Sequence, residues 1–347
     1  MTHAFGPLRQ LLKKHSRTCF PRFVLHEKRI LSFLLFWPRV AHANKMSDMY
    51  DVIIVGAGPA GLSAGLILGR CRRSVLICDT GRPRNAASRV LHGYLTRDGV
   101  SPREFLETGR RELERYDTVH LRDVGAADAS CDEHGGFRVT LDDGSVVVSR
   151  KLLIATGVCD NLPEIEGIRE LYGRSVFHCP YCDGWELRDQ PLAIYGKGSR
   201  GLGLSLELTA WSHDLVLCTD GPPDIDTDGR TRLERNGIAV REERVIALEG
   251  RDGILERIVF DGGAPLERRA MFFTTGQFQR SELAIRLGCE FNDKGTVRTG
   301  RYESTHLSGL FVAGDASRAV QWVIVAAAEG AEAAFAINSD LIEEDLR

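Results

Sequence analysis

Two cysteines, Cys179 and Cys182 in the run HCPYCDGWE at residues 178–186, form the one plainly chemical constellation in the chain. In a C-x-x-C pair one thiol ionises readily and attacks while the other resolves the mixed disulfide, so the pair can cycle between dithiol and disulfide. Asp183 follows Cys182 directly and could pass a proton to or from a leaving thiolate. A turn residue ahead of Gly184 is its structural alternative. His178 could stabilise a thiolate or simply satisfy backbone groups. A zinc site needs two further ligands, and the candidates are His178 and the distant Cys159, so no metal is expected. The tetrapeptide CPYC could suggest a thioredoxin-fold module, but there the pair would open a helix near a domain start, and here it lies deep in the chain.

Those thiols need a scaffold, and the sequence repeats one. The segment YDVIIVGAGPAGLSAGLILGRCRRSVLICD, residues 50–79, opens on a short apolar run, turns on three glycines, continues at helical spacing, and ends in a second apolar run closed by an acid. This is a βαβ nucleotide-binding fingerprint. Gly56 permits the tight turn, Gly58 lets the backbone approach a pyrophosphate, Gly61 lets helix and strand pack closely, and the helix N-terminus offers N–H groups to the anion. Asp79, 21 residues after Gly58, stands where a carboxylate accepts both hydroxyls of a ribose. Residues 191–220 repeat the pattern with Gly196, Gly198 and Gly201, and Asp220 follows Gly198 by 22 residues. Lys197 and Arg200 in this second turn leave open whether it holds a ligand or persists as scaffold. LLIATG, residues 152–157, is a strand ending in Gly157 at a crossing between domains. GLFVAGDAS, residues 309–317, ends a strand in Gly314-Asp315 ahead of an Ala-rich helix, where close approach to a cofactor is expected.

A chain of 347 residues exceeds what one core usually serves, so two domains are expected. Hydrophobic residues make up 43% and charged residues 27%, which excludes a disordered chain. The first 45 residues hold nine Lys or Arg against the single acid Glu27, leaving 36 basic against 47 acidic residues in the remainder. Such an acidic body opposes a phosphate backbone, and no nucleic-acid partner is expected. Nine cysteines, an odd number in a long chain, do not make a secreted disulfide scaffold. Residues 1–45 read as a basic extension, disordered or upstream of the native start, with Met46 as a second start just ahead of a strand. AHA at residues 41–43 resembles a secretory cleavage site, and a transit peptide is the other alternative. The apolar run at residues 30–37 is too short to cross a bilayer, so no membrane association is expected.

The order and spacing of GAGPAG, LLIATG, C-x-x-C-D-G and GLFVAGDAS resemble the low-molecular-weight thioredoxin reductases, FAD-dependent pyridine nucleotide-disulfide oxidoreductases, from Tyr50 to the C-terminus. The resemblance implies an α/β protein of two Rossmann-like domains, the second inserted into the first. The FAD-binding domain would comprise residues 46–159 and 288–347, and residues 160–287 would form an NAD(P)-type domain carrying the cysteines. It further implies that Gly56, Gly58, Pro59, Ala60, Gly61 and Asp79 hold the FAD adenosine and pyrophosphate, with Gly157 and Gly314 close by. Asp315 would hold the ribitol, and Ala316 and Gln321 would lie near the isoalloxazine. Cys182 would face the flavin, Cys179 would exchange with an outside disulfide, and Asp183 would be the acid. Rotation of one domain against the other would present the thiols and the nicotinamide to the flavin in turn. A thioredoxin-like protein or a small disulfide or dithiol as partner, a homodimer, and a cytoplasmic setting complete the expectation.

Departures from the family pattern matter too. Where its members usually carry a basic cluster for the 2′-phosphate of NADPH, this chain has Cys218-Thr219-Asp220-Gly221-Pro222-Pro223. A carboxylate there repels a 2′-phosphate and accepts from a free ribose, which favours NADH. GKGSRG also replaces the usual GGGDSA, and with Pro180-Tyr181 between the cysteines the chain is similar to a branch of small-dithiol oxidases. Two alternatives to a reductase therefore stand: a dithiol oxidase passing electrons through FAD to oxygen, and a low-turnover FAD-binding redox sensor.

Overall fold

The computed structural model describes residues 49–133 and 135–347; the expectation for residues 1–45 lies outside them. In β1 (Met49–Val55), Val52 and Ile54 enter one core while Ile53 and Val55 enter another. That is the alternation of a central strand covered on both faces. The chain turns at Gly56, φ +106°, where a Cβ would sit 2.3 Å from the Ala155 carbonyl oxygen. It enters α1 (Pro59–Arg70) with Gly58 as N-cap and Pro59 in the first turn, where a missing N–H costs nothing. There follow β2 (Val75–Cys78), α2 (Pro102–Leu113), β3 (Val119–Arg122), β4 (Ala126–Cys131), β5 (Phe137–Leu141) and β6 (Val146–Ile154).

A short strand, β7 (Val158–Asp160), carries the chain away from this sheet. Next come α3 (Ile168–Leu171), β8 (Val176–Phe177), α4 (Pro180–Asp183), β9 (Leu192–Tyr195), α5 (Gly198–Leu208), β10 (Leu215–Cys218), α6 (Thr227–Arg235) and β11 (Ala239–Arg241). β12 (Val245–Arg251), β13 (Ile254–Phe260), β14 (Leu266–Glu267) and β15 (Ala270–Phe273) complete this part. β16 (Gln277–Gln279) returns antiparallel to β7. The chain ends with α7 (Leu283–Arg286), β17 (Leu310–Val312) and α8 (Val323–Asp345).

Two nucleotide-type sheets result. The first runs β3-β2-β1-β6-β5-β4, with β17 paired to β6, and its β3, β2, β1, β6 and β17 are parallel. The second runs β11-β10-β9-β15-β8, all parallel, and β12-β13-β14 form a separate antiparallel sheet. Strand ends at β1, β2, β6 and β17 gather on one edge, the usual place for a ligand in such a sheet. Leu283 and Ala284 of α7 already pack in the core of the first sheet beside Ile53 and Val312.

Candidate active site

One turn of helix brings the thiols together. Cys179 is the N-cap of α4 and Pro180 occupies its first turn, so residues three apart fall on one face. Cys179 and Cys182 are joined as a disulfide with Cα atoms 5.3 Å apart. Gly184 closes the turn, and a Cβ there would lie 2.5 Å from the Pro180 carbonyl oxygen and 2.9 Å from Trp211. The Tyr181 ring then meets Trp211 edge-on at 5.4 Å and, from the first domain, Trp322 at 5.6 Å.

Beside this turn lies a cavity of about 1100 Å³. Its wall from the first domain includes Gly56, Gly58, Pro59 and Ala60 of the β1–α1 turn, Asp79 after β2, and Gly157 after β6. Gly314, Asp315 and Gln321 line it beyond β17, and Tyr181, Cys182 and Asp183 close it from the inserted domain. Gly61 is not in the wall; it serves packing, since a Cβ there would lie 1.8 Å from the Gly56 carbonyl oxygen. The Ala316 side chain is not in this wall and is wholly buried in the first-sheet core. The tight turn after Gly314 aims Asp315 outward and Ala316 inward, where its carbonyl accepts from the Gln279 side chain at 2.9 Å.

The second glycine turn stands apart from this cavity. Gly196 and Gly201 repeat the close packing of the first turn, a Cβ on Gly201 falling 2.8 Å from the Gly196 carbonyl. The Gly198 amide, however, donates to the Pro223 carbonyl at 2.8 Å, so the loop after β10 caps the start of α5. Asp220 also has internal work, its Oδ1 accepting from the Val245 amide at 2.9 Å.

Charge around the cavity is arranged by residues that spacing alone did not single out. Arg84 reaches Asp160 with Nε at 3.0 Å and Nη2 at 2.5 Å, Asp315 with Nη1 at 2.8 Å, and the Gln321 carbonyl oxygen at 2.7 Å. Burial by itself would raise the Asp160 carboxyl, but the Arg84 hydrogen bonds and charge hold it below the usual carboxylate range. Burial pushes Asp183 up to about 7, with repulsion from Glu186 adding to it. His178 faces the cavity with 35% of its side chain exposed, yet the surrounding protein lowers it to about 4 against the pull of Asp160; it is neutral at pH 7. Arg110 of α2 pairs with Asp79 and, at 2.9 Å, with Asp123. Asp79 also accepts the Ala57 amide at 3.1 Å. A Gly/Pro-rich loop holding Arg84 was the available signal for that residue; nothing local marked Arg110.

The cavity suits a dinucleotide of the FAD type. It joins a glycine turn at a helix start to a redox disulfide, and the buried Thr156 hydroxyl in its wall has no partner among the described residues, leaving a polar atom for a bound group to satisfy. Residues 50–330 match the pyridine nucleotide-disulphide oxidoreductase family. The chain belongs to that family. A "Probable thioredoxin reductase" of Arthroderma benhamiae is 32% identical over 299 residues, covering 77% of this chain and 74% of that protein. Thioredoxin reductase sirT of Leptosphaeria maculans is 30% identical over 328 residues, covering 86% and 96%. The crystal structure of TrxB from Bacillus anthracis has a TM-score of 0.81 at 35% identity, covering 85% of this chain and all but 1% of its own, 99%. This pyridine nucleotide-disulphide oxidoreductase is accordingly an FAD-dependent enzyme of thioredoxin reductase type, transferring electrons from NAD(P)H through FAD and a cysteine pair to a disulfide. The family match does not favour the oxidase or sensor alternatives. Among the described residues no helix is long and apolar enough to cross a membrane.

Proposed function

We propose that Cys182 is the thiol that meets the flavin and Cys179 the thiol that meets the external disulfide, with Asp183 as the acid. The observation that carries this reading is the asymmetry of the pair: Cys182 lines the cavity with Gly157 and Asp315, and Cys179 does not. Bound FAD supplies the two-electron link between NAD(P)H and the disulfide. In the exchange itself, the Cys179 thiolate attacks a substrate sulfur, and the departing thiolate takes a proton from Asp183. Cys182 then attacks the Cys179 sulfur, releasing the second substrate thiol and closing the Cys179–Cys182 bond. A proton held near neutrality suits Asp183 to giving and regaining it at pH 7.

Gly56, Gly58, Pro59, Ala60 and Asp79 would seat the adenosine and pyrophosphate, and Gly157, Gly314, Asp315 and Gln321 the flavin half. Gly61 would act through packing. Gly196, Gly198, Gly201 and Asp220 would seat the nicotinamide nucleotide, with NADH preferred. On this reading the domain of residues 160–287 turns on β7 and β16 to present thiols and nicotinamide alternately. The outside partner would be a thioredoxin-like protein or a small disulfide. Free Cys71 and Cys131 at the surface support a reducing, cytoplasmic setting. Exposed Phe335 and Ile342 on α8 and Leu346 at its C-terminal cap support a homodimer.

The test is anaerobic flavin bleaching with NADH, NADPH and a dithiol, on wild type and Cys182→Ser. Bleaching by a nicotinamide nucleotide, with disulfide turnover lost and flavin retained in the variant, is expected. Undiminished turnover in Cys182→Ser would remove the pair from the mechanism, and bleaching of wild type by dithiol alone would favour an oxidase.

A further inference from the structure

Asp160 is bonded from both sides of the crossing between domains. From the first domain Arg84 grips both its oxygens and, through the same guanidinium, Asp315 and Gln321 of the cavity wall. From the inserted domain the Tyr172 hydroxyl donates to Asp160 Oδ2 at 2.6 Å, and the Nδ1 of His178, the neighbour of Cys179, lies 3.7 Å from that oxygen. Asp160 itself ends β7, one of the two crossing strands, and its side chain is 5% exposed. A carboxylate so enclosed needs its partners, and those partners are divided between the thiol-bearing segment and the cavity wall.

We propose that Asp160 and Tyr172 are positioning residues for the thiol–flavin exchange: the chain Tyr172–Asp160–Arg84–Asp315 holds the segment bearing Cys179 and Cys182 against the wall that bears Asp315. The proposal rests on the reading that Cys182 meets the flavin in this arrangement. The two attachments differ in kind. Arg84 and β7 stay together when the inserted domain turns, because both belong to the crossing and the first domain; Tyr172 and His178 travel with the thiols. The Tyr172 hydroxyl bond is therefore made in the thiol-facing arrangement and given up outside it. An interaction present in one arrangement alone shifts the balance between the two by its full worth.

Tyr172→Phe removes this one bond and keeps the ring against Phe273, 6.0 Å away between centroids. The experiment uses the full-length flavin-loaded protein, mixed anaerobically with dithiothreitol in one series and with NADH or NADPH in another, following flavin absorbance. Tyr172→Phe should slow bleaching by dithiothreitol about tenfold, the factor expected from one hydrogen bond to a charged acceptor. Flavin content should be unchanged, and bleaching by the nicotinamide nucleotide should be unchanged or faster, since the lost bond favours the arrangement that presents the nicotinamide. Asp160→Asn, which keeps shape but weakens both attachments, should show the same selective loss. Equal rates in wild type and Tyr172→Phe, or an equal loss in both series, would overturn the positioning role while leaving the assignment of Cys182 standing. Failure of dithiothreitol to bleach the wild-type flavin would overturn both.

Discussion

The Glu329 carboxylate on α8 accepts the Gly314 amide at 2.8 Å, so the helix that closes the chain fixes the turn presenting Asp315 to the cavity. Arg318 Nε stands 2.8 Å from Glu329 and its Nη2 2.5 Å from the fully buried Glu303. A second carboxylate cluster thus supports the cavity from behind.

Burial, with repulsion from Glu303 second, pushes Glu329 up to about 7 against the pull of the Gly314 amide and Arg318. A carboxyl whose folded value is raised binds its proton more tightly folded than unfolded. Its contribution is fully present below the ordinary glutamate range and is lost as pH rises through about 7, with a worth on the order of 1–3 kcal/mol. Thermal midpoints measured between pH 4 and 9 should therefore fall less steeply in Glu329→Gln than in wild type. Identical slopes would show that Glu329 carries no such proton.

Asp183 is predicted to set the alkaline limb of disulfide turnover. Its acid form is depleted as pH rises through about 7, so kcat should decline there. Asp183→Asn cannot exchange the proton, and kcat should drop roughly a hundredfold with that limb absent. A variant keeping both the wild-type rate and the limb would assign the proton elsewhere.

Gly330 of α8 faces α1 so closely that a Cβ would lie 2.0 Å from the Ala60 carbonyl oxygen. Gly330→Ala must part the two helices at the end that carries Pro59 and Ala60 into the cavity. Overpacking of this kind costs about 1–3 kcal/mol, and the purified variant should hold less flavin as well as melt earlier. Wild-type flavin content would separate the helix contact from the cofactor seat.

Asp220→Asn keeps an oxygen for the Val245 amide and removes the charge. The ratio of kcat/KM for NADH over NADPH should fall about tenfold, since repulsion of the 2′-phosphate disappears while the fold keeps its bond. An unchanged ratio would free Asp220 of any selective role and leave it a loop-bracing residue.

What could be read in the sequence is what local geometry demands. Gly61 had to be glycine for a reason contained within six residues, its close approach to Gly56, and Gly56 turns with a positive φ that its own turn demands, while Cys179 and Cys182 meet because one helical turn separates them. The strands β1, β2, β9 and β10 followed from apolar runs of strand length around those turns, and β6 and β17 from the runs that end in Gly157 and Gly314; the remaining strands of the two sheets carried no such marker. That the Ala316 side chain turns into the core while Asp315 faces the cavity was not legible, because spacing does not carry the direction of the tight turn after Gly314. Arg84 and Arg110 were missed for a different reason: their partners Asp315 and Asp79 are 231 and 31 residues away, and such pairings are made by the fold.

If the second glycine turn seats the nicotinamide nucleotide as proposed, the bond from the Gly198 amide to the Pro223 carbonyl makes the enzyme a competitor for its own substrate site. A nucleotide phosphate seated at the start of α5 must displace that carbonyl, so it binds only the fraction of molecules whose loop at residues 219–224 stands open. An open fraction of about 1% would weaken apparent binding about a hundredfold without altering a single contact to the nucleotide. The Michaelis constant for the nicotinamide nucleotide would then measure the loop as much as the ligand, and a looser hinge such as Pro223→Gly should lower it; a raised constant would mean that the loop forms part of the seat.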